Sequence, residues 1–176
     1  MNVLEWLGIT HGRKPLEVGE AAPDAAAQDE EGKVVRLTEV CADGLTLVYF
    51  YPRADTPGCT AQACSIRDDF AELQARGVRV IGVSSDGPEA QRRFREKYRL
   101  PFTLLADTEH AVAKAFGVRL LLGMTHRQSF LIKGGRVVWR DLNAATREQA
   151  RDILKALPKI SLSVNFINPV QKSPAS

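Results

Sequence analysis

LTLVYFYPRADTPGCTAQACSIRDDFAEL, residues 45–73, passes from strand to loop to helix in one sweep. Residues 45–51 are apolar, β-branched and aromatic, long enough for one buried strand. The Pro/Gly/Asp-punctuated segment 52–58 must be a loop. Beyond it Ala63, Ile66, Phe70 and Leu73 recur three and four apart, the pattern of one helix face. Cys59 falls where the loop becomes the first helical turn, and a thiol placed there is a candidate nucleophile.

Downstream, Gly77 ends the helix and VRVIGV, residues 78–83, reads as a second strand. Asp86 offers an N-cap to a helix over 88–99, with Pro88 in its first turn and Glu89 completing a variant capping box. Residues 102–106 form a short strand, and Asp107 caps a brief helix that carries Val112, Ala115 and Phe116 and closes at Gly117. Leu120, Leu121, Leu122 and Met124 make an apolar loop, open to reading as core or as a contact surface. Strands 128–132 and 136–140 flank Gly134-Gly135, a hairpin signal. Thr146 with Gln149 forms a capping box for a last helix, whose Ala150, Ile153, Leu154 and Leu157 share a face until Pro158 stops it.

Upstream, residues 16–35 suit an irregular hairpin around Glu31-Gly32. Val3, Leu4, Trp6 and Leu7 give residues 1–12 about two amphipathic turns, read as a docking segment in preference to a membrane anchor. Residues 159–176 read as a tail, though Leu162, Val164 and Phe166 alternate with polar residues and would suit an edge strand. The expected division is an extension over 1–14, one domain over 15–158 and a tail over 159–176. A strand, crossover helix and strand imply parallel pairing with a right-handed connection, and the Gly-Gly hairpin adds an antiparallel pair. The expected class is α/β, a mixed central sheet flanked by helices; its topology resembles the thioredoxin fold with an N-terminal hairpin extension.

The 176 residues are 44% hydrophobic and 26% charged with a net charge of +3, which suits one ordinary globular domain. Its charges are interspersed, so no basic stripe points to nucleic acid. No apolar stretch approaches the ~20 residues that span a bilayer. The N-terminus lacks the basic leader, apolar core and cleavage site of a signal peptide, and the cytoplasm is the expected compartment. Three cysteines, Cys41, Cys59 and Cys64, argue against a disulfide framework. Cys41, among apolar neighbours, reads as a buried small hydrophobe. His11, His110 and His126 stand at no metal-ligand spacing from a cysteine, so no metal site is expected.

A free thiol is only ~3% thiolate at pH 7. Bringing one to ~90% takes about 3.4 kcal/mol of differential stabilisation. A helix N-terminus supplies ~0.3–1 kcal/mol, and up to ~2 when partly buried, so it falls short alone. One nearby guanidinium shifts a pKa by ~1–3 units and closes the gap. Spacing does not say which arginine. Cys64 lies five residues beyond Cys59, about 8.7 Å away between Cα atoms in a wound helix. A disulfide needs them within ~7 Å, so the pair can bond only if that helix unwinds. Cys64 reads equally as a core-facing residue or as a partner.

Pro52, Thr56 and Cys59 fit the P-x-x-x-T-x-x-C signature of peroxiredoxins. FYPRADTPGCTAQACSIRDDF, VIGVSSD, KYRLPFTLLAD, AFGV and RQSFLI resemble the Q-type subfamily, also called bacterioferritin comigratory protein. The resemblance implies that Cys59 is the peroxidatic cysteine and that Thr56 hydrogen-bonds the peroxide. It makes Pro52 the shield of the pocket and Arg127 the arginine that stabilises thiolate and peroxide. Cys64 becomes the resolving cysteine. Implied with it are a peroxidase acting on hydrogen peroxide and organic hydroperoxides, recycling by thioredoxin or a similar dithiol, no cofactor, and a monomer or homodimer. Ala25 stands where the family commonly has phenylalanine, and Gln62 where glutamate is frequent. A thioredoxin-type oxidoreductase fits less well, because it wants C-x-x-C and a cis-proline, and no proline lies between Pro101 and Pro158. A peroxide sensor or redox relay is a further alternative, and a cysteine hydrolase lacks a histidine in a recognisable motif.

Overall fold

A computed structural model describes residues 13–165, with side chains through residue 160. Strands β1 (Ala26–Asp29) and β2 (Val34–Arg36) form the N-terminal hairpin, and helix α1 (Leu37–Val40) leads to β3 (Leu45–Phe50). Helices α2 (Pro57–Asp68) and α3 (Phe70–Ala75) cross over to β4 (Val78–Ser84), and α4 (Pro88–Tyr98) crosses to β5 (Thr103–Ala106). Then come α5 (Ala111–Phe116), a ribbon of β6 (Leu120–Leu121) and β7 (Met124–Thr125), the hairpin β8 (Gln128–Lys133) and β9 (Arg136–Asp141), and α6 (Gln149–Asn165). The seven-stranded sheet runs β2-β1-β5-β4-β3-β8-β9. β3, β4 and β5 are parallel, while β8 pairs antiparallel with both β3 and β9. This is the mixed α/β sheet that the sequence implies.

Strand β3 lies near the middle, and its period-two alternation loads both faces. Leu47 and Tyr49, with Tyr51 just beyond, join Cys59, Ala63, Ile66, Leu131 and Ile153 in one core. Val48 and Phe50 join Cys41, Ile81, Val83, Phe116 and Phe130 in the other. Gly134 and Gly135 take φ of 53° and 74°, the left-handed pair that a tight hairpin requires. The N-terminal hairpin also forms, its turn held by Asp29 Oδ1, which accepts the N–H groups of Glu31 and Lys33.

Several local expectations give way. The last helix does not stop at Pro158 but runs through it to Asn165, so residues 162–165 are helical and add no edge strand. An interior proline costs about 3 kcal/mol. Ile160 is 93% buried beyond Leu157, extending the same stripe and returning a comparable amount, about 1.5–3 kcal/mol. Phe166 and the proposed docking segment over 1–12 lie outside the described residues. Asp86 caps no helix: Gly87 holds the N-cap position of α4, while the Asp86 carboxylate accepts from the Ala54 N–H and the Ser84 hydroxyl. Thr146 and Gln149 make no capping box, because α6 starts at Gln149, whose side chain turns inward. The helical run over 57–75 is broken at Asp69 into α2 and α3. The apolar loop divides as well, with Leu120 buried and Leu121, Leu122 and Met124 exposed.

Candidate active site

Helix α2 starts with Pro57, whose missing N–H is no loss at that position, and Cys59 is its third residue. Thr56 before it is extended, at φ −96° and ψ 153°, and its carbonyl accepts the Thr60 N–H at 2.8 Å. The N–H groups of Gly58 and Cys59 therefore have no acceptor within the helix and leave its positive end beside the thiol.

The loop feeding this turn is tethered along its length. Tyr51 donates its N–H to Val83 O at 3.1 Å and its hydroxyl to Gln91 Oε1 at 2.5 Å, and its carbonyl accepts from Thr125 Oγ1 at 2.6 Å. The Ala54 N–H reaches Asp86 Oδ2 at 2.7 Å. Asp55, left-handed at φ 57°, accepts from Lys97 Nζ at 2.8 Å and Tyr98 Oη at 2.6 Å. Those bonds, Lys97's first, hold its carboxyl below the usual range. Loop and strand are thus fixed independently of α2.

Arg127, immediately before β8, points its Nη2 at Cys59 Sγ across 3.5 Å. Its Nη1 donates to Gln62 Oε1. Gln62 in turn donates Nε2 to Gln149 Oε1 at 2.8 Å, and that oxygen also accepts from Ser129 Oγ at 3.1 Å. Gln62, Ser129 and Gln149 are fully buried. A Cβ on Gly58 would stand 3.2 Å from Arg127 Nη2, so glycine gives the guanidinium its room.

Of the five residues singled out in the sequence, Cys59 and Arg127 are in contact. Pro52 lines a cleft of about 410 Å³ with Arg127, Leu121, Met124 and Thr125. The Thr56 hydroxyl donates to Arg53 O at 2.9 Å, which leaves its oxygen free to accept. Cys64 is half-buried in the same wound helix. All three cysteines are free thiols. Cys41 sits in the core on the other face of the sheet, fully buried, and burial pushes its thiol up to about 11. A separate groove of about 880 Å³ between β9 and α6 includes none of these residues.

Sequence reasoning missed the glutamine chain. Gln62 carried a signal, since a residue three beyond Cys59 shares its helix face. Gln149 and Ser129 carried none, because they arrive through tertiary packing 87 and 67 positions from Gln62.

A thiol at a helix N-terminus, held against a guanidinium on a mixed sheet of this topology, defines a class: thiol-dependent enzymes of the thioredoxin fold. Comparison with known proteins narrows it. The AhpC/TSA family matches residues 18–140. Peroxiredoxin Bcp of Escherichia coli is 48% identical over 125 residues, covering 67% of this chain and 80% of that protein. Peroxiredoxin Bcp of Bacillus subtilis is 39% identical over 160 residues, covering 83% and 98%. The crystal structure of peroxidoxin BcpB from Mycobacterium tuberculosis superposes with a TM-score of 0.76 at 32% identity, covering 82% of this chain and 98% of that one. A mutant of peroxiredoxin Q from Xanthomonas campestris gives 0.73 at 27%, covering 85% and 99%. The chain belongs to the AhpC/TSA family of peroxiredoxins, in its Bcp/Q-type branch, and is a thiol-dependent peroxidase.

Proposed function

We propose that Cys59 is the peroxidatic cysteine and Cys64 its resolving partner, in a cycle that reduces hydrogen peroxide and organic hydroperoxides. The observation that carries this reading is the 3.5 Å approach of Arg127 Nη2 to Cys59 Sγ at the start of α2. Guanidinium and helix end both present positive charge at the sulfur, where negative charge passes to the leaving oxygen.

The thiolate attacks the terminal oxygen of ROOH, the O–O bond breaks, and RO⁻ departs and takes a proton as ROH. Arg127 and the free amides at the start of α2 stabilise the negative charge passing to the leaving oxygen. Thr56, its proton committed to Arg53 O, accepts the peroxide's O–H and orients it. Pro52 walls the cleft against water, and Leu121 and Met124 beside it offer an apolar surface to an alkyl group. The Cys59 sulfenic acid then condenses with the Cys64 thiol, releasing water and forming the S–S bond. Because α2 is wound, its first turns open before the sulfurs meet. An external dithiol of thioredoxin type returns both thiols by exchange and is itself left as a disulfide. A cytoplasm kept reducing by such dithiols suits a chain with three free thiols.

The test is a steady-state peroxide assay coupled to thioredoxin and its reductase. Wild type turns over and Cys59→Ser does not. Residual turnover in Cys59→Ser, or rapid oxidation of Cys59 with no turnover in the wild type, would contradict the assignment.

A further inference from the structure

We infer that Gln149 is a positioning residue for Arg127 and the latch that keeps α2 wound; the inference rests on the roles proposed for Cys59 and Cys64. Direction in the hydrogen-bond chain carries the first half. Arg127 can only donate, so the Gln62 end that meets it must be the carbonyl oxygen. That leaves the Gln62 Nε2 facing Gln149, whose Oε1 accepts it and the Ser129 hydroxyl together. With its oxygen committed to two donors, Gln149 keeps its own Nε2 buried and without a partner among the described residues. Leaving a buried donor unmade is costly. What the arrangement secures is one orientation of the Gln62 amide, and hence the place of the guanidinium.

Location carries the second half. Gln62 lies between Cys59 and Cys64, in the stretch that must unwind before they can bond. The next residue of α6, Ala150, donates its N–H to Ser65 Oγ at 3.5 Å. The start of α6 therefore grips α2 at residues 62 and 65, on either side of Cys64. The grip serves attack on peroxide, which needs the wound helix and a fixed Arg127. It opposes disulfide formation, which needs the helix open. Loss of Gln149 should move the two steps in opposite directions, and a general loosening of the fold would show itself separately as a lower urea midpoint and as effects that add to those of Gln62 loss.

The test uses single-turnover rapid mixing of the reduced full-length chain with hydrogen peroxide, quenched and read by mass spectrometry for the Cys59 sulfenic acid and the Cys59–Cys64 disulfide. Gln149→Met, similar in volume but without the acceptor, should slow oxidation about 10-fold and speed disulfide formation severalfold. Gln149→Glu keeps an acceptor oxygen and should bring both constants back toward wild type. In a Gln62→Met background, Gln149→Met should change neither constant further. If Gln149→Met does not fold, Gln62→Met cuts the same chain from its other end and must show the same split. Unchanged constants, two constants slowed together, or effects that add to those of Gln62→Met would overturn the inference. Absence of a Cys59–Cys64 disulfide in the wild type would instead refute the role of Cys64, and the oxidation constants would still decide the positioning of Arg127.

Discussion

Two thiols of the same chemistry stand in opposite environments. Cys59 meets a guanidinium and a helix end, whereas Cys41 is enclosed by hydrocarbon on the far face of the sheet. Burial raises the Cys41 thiol from an ordinary 9.0 to about 11, so at neutral pH it stays protonated and inert. Alkylation of the folded, reduced chain at pH 8 should spare Cys41 until denaturant is added. Between pH 9 and 11 the folded chain holds a proton that the unfolded chain releases. The associated stability, about 2–3 kcal/mol, is complete below pH 9 and lost as the pH rises through 11. Urea titrations of Cys41→Ala across this window should show a shallower loss than wild type. Gly58 is the second sensitive position. Its Cβ would crowd Arg127 Nη2 at 3.2 Å, while the helix would gain about 0.5–1 kcal/mol from alanine. Gly58→Ala should thus lower the rate constant for peroxide severalfold with unchanged or raised thermal stability.

At the scale of elements, the proposed cycle asks α2 to be firm and to let go. Its loop is held from behind by Asp86, Lys97 and Tyr98, through hydrogen bonds that the proposed opening of the helix would leave intact. Its far half is held by Ile66 and Ala63 in the core, which would confine the proposed opening to the first turns. The strand–loop–helix order of residues 45–73 was legible because apolar period and proline punctuation are local. The cap positions were not. Asp86, Thr146 and Gln149 carry cap-forming side chains, but Asp86 and Gln149 are drawn into tertiary hydrogen bonds. Pro158 misled for a related reason, since burial of Ile160 offsets a local penalty that sequence rules count alone. Pro158→Ala should accordingly stabilise the chain by about 1–3 kcal/mol, read from the urea midpoint at constant slope.

Across the whole molecule, the sheet makes a meeting point from distant segments. β3 delivers Pro52 and the loop, β8 delivers Arg127 from the neighbouring antiparallel strand, and α6 delivers Gln149. The fold class was legible in the order of strands and helices, and the meeting of Cys59 with Arg127 was legible only through motif resemblance, which encodes such long-range contacts indirectly. The glutamine chain was not, because no spacing rule links Gln62 to Gln149. The central claim is that one wound helix poises Cys59 and then opens to deliver it to Cys64. Disulfide mapping of the reduced chain after one equivalent of hydrogen peroxide tests it most directly. The account predicts a single Cys59–Cys64 bond with Cys41 still free, and in Cys64→Ser a Cys59 sulfenic acid in its place. A Cys41–Cys59 disulfide, or no intramolecular bond at all, would contradict it.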